Sequence, residues 1–191
     1  KILISSMLNL TKFDNGTIEI HYQLFPIQDL AFRTILMFES RLEKRNITLE
    51  GLDSEPVQVW GDPDLIGQVI YNLFENATKF VNTGGTITFT FKDEPNSTSI
   101  AIRNTGAGIS KEELPKIFER FYKSDDSRSH DKTGLGIGLD ITKHIVRLHK
   151  AQISVSSEEG EYTEFLIRLP KKDAPAESPT ENPEKQPKDA R

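Results

Sequence analysis

The hydrophobic period changes abruptly near the middle of this 191-residue chain. Between Asp62 and about Phe80, the residues Leu65, Ile66, Val69, Ile70, Leu73 and Phe74 recur at the spacing that puts apolar side chains on one helical face. Beyond Gly84-Gly85 the spacing is two, so Ile87, Phe89 and Phe91 define one strand, and Ile100 and Ile102 another. A one-sided helix and one-sided strands bury their apolar surfaces only against each other. The pattern therefore predicts a layered α+β domain, with one mixed sheet covered by helices on one face.

The flanking elements fit that plan. Ile4, Leu8 and Leu10 fall near one helical face, and Asp14-Asn15-Gly16 stops that helix. Because the chain opens inside a helical pattern, residues 1–16 are expected to be the end of a longer helix and its linker, in a piece of a longer protein. Alternation of Ile18, Ile20, Tyr22 and Leu24 predicts a strand, and Pro26 opens a helix to about Arg45. Short strands follow at Ile47–Glu50 and Val57–Trp60, and Gly61-Asp62-Pro63 supplies a cap and a first-turn proline for the central helix. A short helix is expected within SKEELPKIFERF (110–121), then a polar stretch, and a glycine-punctuated helix from residue 134 to about His149. Strands at Ile153–Ser157 and Tyr162–Leu169 close a domain spanning 17–170. Residues 171–191 hold charged, small and polar residues with regularly spaced prolines, the composition of a disordered tail.

Composition narrows the function classes. Absence of cysteine excludes a disulfide framework, a thiolate nucleophile and a metal site built on sulfur. His21, His130, His144 and His149 form no close pair with a neighbouring carboxylate, which argues against a His-based metal site. A net charge of -5 and a pI of about 5.5 argue against a nucleic-acid partner, which needs a local excess of Lys and Arg. No apolar run approaches the roughly 18–20 residues that span a bilayer, and a soluble, intracellular domain is expected.

Three groups of residues suit chemistry. Asn72, Asn76 and Lys79 share one side of the central helix at the border of its apolar stripe. A solvated helix edge accounts for them; equally, an amide oxygen can coordinate a hard cation and a Lys one turn on can reach an anion. Asn104-Thr105-Gly106-Ala107-Gly108-Ile109 follows a strand, and its glycines suit either a tight turn or close backbone approach to a flat or anionic ligand. Gly134-Leu135-Gly136-Ile137-Gly138-Leu139 opens a helix, where backbone N–H groups can point at phosphate. Its third glycine comes too early for a dinucleotide fingerprint and no βαβ unit surrounds it, so neither a Rossmann nor a Walker A site is supported.

In order, VIYNLFENATKF (69–80), NTGAGIS (104–110), FERFYKSDDSRS (118–129), TGLGIGL (133–139) and GEYTEFLIRLP (160–170) resemble the asparagine, first glycine, phenylalanine and second glycine boxes and the closing strand of the catalytic ATP-binding domain of two-component sensor histidine kinases. The likeness covers roughly residues 17–170, and the start with KFDNGTIEI resembles the end of a dimerisation helix and its linker. The resemblance implies a Bergerat-type two-layer α/β sandwich, with ATP between the helical layer and a mobile lid. It implies Asn76 as the Mg²⁺ ligand, Asn72 assisting, Lys79 on phosphate and Phe80 bordering the adenine. Gly106, Gly108 and Ile109 would shape the base pocket, and Gly134, Leu135, Gly136 and Gly138 the phosphate cradle. Thr163 would bond near the adenine; Phe118, Phe121 and Tyr122 would pack the lid, where a plain core role serves equally well. Arg128 and Lys132 would pair with the triphosphate, or remain solvated loop charges.

The resemblance further implies a cytoplasmic domain of a homodimeric, membrane-anchored protein, working with its own upstream phosphoacceptor domain and a response regulator. Where gyrase-type and chaperone ATPases of the superfamily place a water-orienting Glu, this chain has Asn72, and an amide is not a general base. The chain departs from the kinase pattern at Asn104, where Asp is usual, at Asp140, where a small or apolar residue is usual, and at Tyr162. No histidine stands in an acceptor-helix context, so the acceptor is expected before Lys1 and the chain alone is not expected to autophosphorylate. Two other readings stay open: a serine kinase of the anti-sigma-factor type, and a non-catalytic nucleotide-sensing or docking module.

Overall fold

In chain order the elements are β1 (Gln23–Pro26), α1 (Ile27–Lys44), β2 (Thr48–Glu50), β3 (Gln58–Gly61), α2 (Pro63–Phe80), β4 (Thr86–Asp93), β5 (Ser97–Thr105), α3 (Gly138–Leu148), β6 (Gln152–Glu158) and β7 (Tyr162–Pro170). They come from a computed structural model that describes residues 18–123 and 136–172. The main sheet runs β2-β4-β5-β7-β6, with β2 parallel to β4 and every other pairing antiparallel. Strands β1 and β3 form a separate antiparallel pair.

Alternation decides which sheet face is covered. Ile87, Phe89 and Phe91 of β4, Ile100 and Ile102 of β5, and Phe165, Ile167 and Leu169 of β7 are all buried. Thr90, Lys92, Arg103 and Arg168, on the other face, are exposed. Ile66, Val69, Ile70, Leu73 and Phe74 bring the stripe of α2 down onto the apolar face. Phe38 of α1, Phe74 of α2 and Phe89 and Phe91 of β4 form a continuous aromatic file with successive ring centroids 5.4, 5.5 and 5.9 Å apart. This is the expected two-layer sandwich, a mixed sheet with helices on one face. Among the described residues no helix is long and apolar enough to cross a membrane.

Two local expectations are corrected. The alternation at 18–24 does not make a five-residue-plus strand: β1 is confined to Gln23–Pro26 and pairs only with β3, leaving Tyr22 and Leu24 exposed. Alternation without a buried face to serve does not hold a strand. Residues 110–121 form successive turns rather than a helix, with Glu113 N–H bonding Ser110 O at 3.1 Å and Lys116 N–H bonding Glu113 O at 2.8 Å. Pro115 has no N–H to continue a helical ladder and disfavours helical backbone at Leu114. The segments 1–16, most of the polar stretch and nearly all of 171–191 lie outside the described residues.

A polar junction fixes where α2 begins. The Asp62 Oδ1 accepts N–H bonds from Asp64 and Leu65 at 3.0 and 3.2 Å, the expected cap, and its Oδ2 accepts from His21 N–H at 2.9 Å. The Asp62 N–H in turn donates to His149 Nε2 at 3.1 Å, beyond the end of α3. That bond needs Nε2 unprotonated, so Nδ1 carries the hydrogen and donates to Ile145 O at 2.9 Å. Burial holds the His149 pKa below the ordinary 6.5, against the opposing pull of the Ile145 carbonyl and the Asp62 carboxylate. Protons are then taken up on unfolding, and the stability contributed by neutral His149 is lost as pH falls below about 6.5 toward the depressed folded value. Thermal unfolding from about pH 7.5 to about pH 5.5 should show a Tm decline that is shallower in His149→Gln; identical slopes would refute the assignment.

Candidate functional site

One buried amide joins the two helices that carry the candidate residues. Asn72 Nδ2 donates to Gly138 O at 3.0 Å and to Thr142 Oγ1 at 3.3 Å, while its Oδ1 accepts from Gln68 Nε2 at 3.2 Å. Asn76, one turn on, is half-buried, and its side chain bonds to no described residue. Two asparagines on the same helical side therefore differ in what they have left to offer. Lys79 pairs with Glu75 at 3.2 Å, and Phe80 ends the helix 40% exposed.

Arg45 secures that helix end. Its Nη1 donates to Thr78 O at 2.6 Å and its Nη2 to Val81 O, supplying a partner for carbonyls that the helix leaves unbonded. The first glycine segment then folds back over the same end, with an isolated antiparallel bridge between Val81 and Gly106. At Gly106, with φ of 150°, a Cβ would lie 2.2 Å from Phe80 O; at Gly108, with φ of 71°, it would lie 2.2 Å from Glu158 O. Both glycines are thus required by backbone packing with or without a ligand.

Asn104 falls on the helix-facing side of β5, in register with Thr163 of β7, and both are buried. Asn104 Nδ2 donates to Thr105 O at 3.0 Å, and no described residue donates to its Oδ1. Ser157 organises the neighbouring groups: its Oγ accepts from Ile109 N–H at 2.8 Å, donates to Tyr162 O at 2.6 Å and lies 3.0 Å from Thr163 Oγ1. With the Ser157 proton on Tyr162 O, Thr163 must donate to Ser157, which leaves Thr163 Oγ1 as an acceptor. Two acceptor oxygens side by side suit a ligand amino group.

The phenylalanine-rich segment meets α3 beside this site. Phe118 packs edge-on to Phe165 with centroids 6.3 Å apart, Phe121 N–H donates to Gly136 O at 3.0 Å, and Tyr122 Oη donates to Glu113 Oε1 at 3.2 Å. Asp140 neither caps the helix nor stands alone; it pairs with Arg120 at 2.9 Å. Contacts run from Asn72 to Gly138, from Phe80 to Gly106, from Asn104 to Thr163 and from Phe121 to Gly136, so the described candidates form one continuous belt. Arg128, Lys132, Gly134 and Leu135 lie outside the described residues. Sequence reading missed Ser157, Arg45 and Arg120; each acts on a partner distant in the sequence, Ile109, Thr78 and Asp140 respectively, and no local pattern marks such a residue.

The fold is that of an ATPase-family α+β domain. Residues 61–173 match the model of the histidine kinase-, DNA gyrase B- and HSP90-like ATPase family, and the chain belongs to that family. It is 32% identical over 170 residues to the sensor protein SrrB of Staphylococcus aureus, a match that takes in 88% of this chain and 29% of that protein. Its structure resembles the catalytic domain of histidine kinase ThkA, with TM-score 0.68 and 27% identity over 78% of this chain and 95% of that one. Full-length ShkA in complex with AMPPNP shares the fold, with TM-score 0.74 and 21% identity over 88% of this chain and 35% of that one. Within that family, the similarities are to a sensor protein and to histidine kinases, and the chain spans 29% of the length of SrrB.

Two outcomes follow from the geometry. Asn72→Asp removes the donor to Gly138 O and Thr142 and buries a carboxylate, and should cost about 2 kcal/mol or more, whereas Asn76→Asp should cost under about 0.5 kcal/mol. Equal costs in denaturant unfolding would contradict the division between the two amides. At Asn104, Asp would offer a charge-assisted acceptor but lose the bond to Thr105 O, so Asn104→Asp should tighten ATP binding by about tenfold or less while lowering stability by about 1 kcal/mol. Calorimetric titration that finds weaker ATP binding to Asn104→Asp would refute this account.

Proposed function

We propose that this chain holds ATP and Mg²⁺ for transfer of the γ-phosphoryl group to a histidine on a dimerisation domain, in a homodimer that serves a response regulator. The observation that carries the proposal is Asn72. At the place where hydrolysing members of the superfamily are expected to orient water with a carboxylate, this chain has a buried amide whose nitrogen donates to Gly138 O and Thr142 Oγ1. An amide cannot take a proton from water, so the site lacks the base for hydrolysis and suits a nucleophile brought from outside.

The other candidates fit roles in that transfer. Asn104 Oδ1 and Thr163 Oγ1 present acceptors to the adenine amino group, which favours ATP over GTP. Phe80 borders the base, Lys79 can exchange Glu75 for phosphate, and Gly136 and Gly138 lie at the phosphate end of α3. Asn76 fits a Mg²⁺ ligand because its amide oxygen is uncommitted and partly accessible. When bound, the cation neutralises charge on the phosphates. The chain's own work is to orient the triphosphate and keep it in line with the arriving histidine. The chain spans 29% of its Staphylococcus aureus relative, which leaves room there for sensing and phosphoacceptor parts.

The test supplies a separate His-bearing dimerisation domain together with ATP and Mg²⁺. Acid-labile, base-stable phosphate should appear on that domain, with little free phosphate. Free phosphate without transfer would mark a hydrolase, and ATP binding without transfer a docking module. Asn76→Ala should make ATP affinity equal with and without Mg²⁺; a wild-type chain that already shows equal affinities would remove the metal assignment.

A further inference from the structure

Two carboxylates among the described residues are buried, Asp62 and Asp140, and only the first is explained by helix capping. Asp140 is the third residue of α3, so its charge sits in the first turn, where unbonded N–H groups concentrate the positive end of the helix dipole. The nucleotide reading places phosphate in the same field, beside Gly136 and Gly138. An uncompensated carboxylate there would oppose every phosphate charge. Asp140 Oδ2 instead lies 2.9 Å from Arg120 Nε, and its Oδ1 lies 3.3 Å from His144 Nδ1. His144 Nδ1 is nearer still to Asp140 O, at 2.9 Å.

Arg120 does not reach Asp140 from a loose chain. Phe118 packs on Phe165 and takes Lys143 Nζ over its ring at 6.0 Å, and Phe121 bonds Gly136 O at 3.0 Å. Phe121 also has φ of 65°, a left-handed backbone that a bulky side chain adopts only where its surroundings over-determine it. The Phe118 ring and the Phe121 backbone, flanking Arg120, are therefore held against the sheet and the start of α3, and the guanidinium reaches Asp140 from a held segment.

We propose that Arg120 is a positioning residue whose ion pair with Asp140 cancels the carboxylate's charge at the phosphate end of α3 and ties residues 110–123 to that helix. The proposal rests on the nucleotide reading and adds a requirement to it: this chain, which carries a buried acid in the first turn of α3, needs a fixed counter-ion to accept a triphosphate.

The test compares ATP, ADP and adenosine binding to the 191-residue chain at about pH 8, where an ordinary histidine is neutral. Arg120→Gln should weaken ATP by about tenfold, ADP by less and adenosine hardly at all, because the uncovered charge acts on phosphates alone. The double variant Arg120→Gln with Asp140→Asn should return ATP affinity to within about threefold of the starting chain, since no charge is left to compensate. Thermal unfolding of each variant reports folding separately. Equal weakening of all three ligands, or a double variant no better than Arg120→Gln, would overturn the proposal alone. A starting chain that binds no adenine nucleotide would overturn the nucleotide reading and the proposal with it.

Discussion

A neutral amide, buried where a charge is not tolerated, decides the relation between the two helices that carry the site. Asn72 gives one nitrogen to two acceptors on α3, Gly138 O and Thr142 Oγ1. A carboxylate has no hydrogen to give and would place a charge against those oxygens, so the position accepts no simple exchange of amide for acid. On the proposed reading, the residue that supplies no hydrolytic base is also the one that joins α2 to α3. Fold and chemistry are coupled through one side chain.

The junction at Asp62 completes that coupling. Asp62 N–H meets His149 just past the end of α3, while Asn72 meets Gly138 at its start. Helices α2 and α3 therefore run in opposite directions, and α3 is pinned at both ends, to the start of α2 through a neutral histidine and to its middle through a neutral amide. Against this frame, β5 and β7 bring Asn104 and Thr163 up as register partners beneath the helical layer. The candidate residues thus come from strand ends on one side and from helix ends on the other.

Much of this was legible in the sequence because it is local. The apolar stripe of α2, the Asp62 cap with Pro63 behind it, and the alternation of β4, β5 and β7 each depend on residues a few positions apart, and each appears where periodicity and capping place it. The strand expected over 18–24 and the helix expected over 110–121 were also local readings, but one lacked a face to bury and the other contained Pro115. What periodicity could not report is which distant groups meet. Ser157 bonding Ile109, Arg45 bonding Thr78 O and Arg120 bonding Asp140 are tertiary contacts, and in one dimension each residue reads as an ordinary polar side chain. The glycines were legible as glycines but not in their reason: Gly106 and Gly108 admit the backbone of Phe80 and Glu158, a need that exists with or without a ligand.

Asn72 and Asn76 show how a site is separated from the fold that supports it. Four residues on a helix return to nearly the same side, offset by about 40°, and that offset carries the second asparagine from burial to partial exposure. The buried amide had to find protein partners, since an unmet polar group in the interior is costly; the half-buried one can stay hydrated. The same division recurs within Asn104, whose nitrogen is held by Thr105 O while no described residue donates to its oxygen. Groups left without a protein partner at the rim of a packed core are the groups a ligand can use, because the ligand replaces water rather than breaking a structural bond. By that criterion Asn76 and the Asn104 oxygen are the groups left open to the proposed ligand, and Asn72 belongs to the protein.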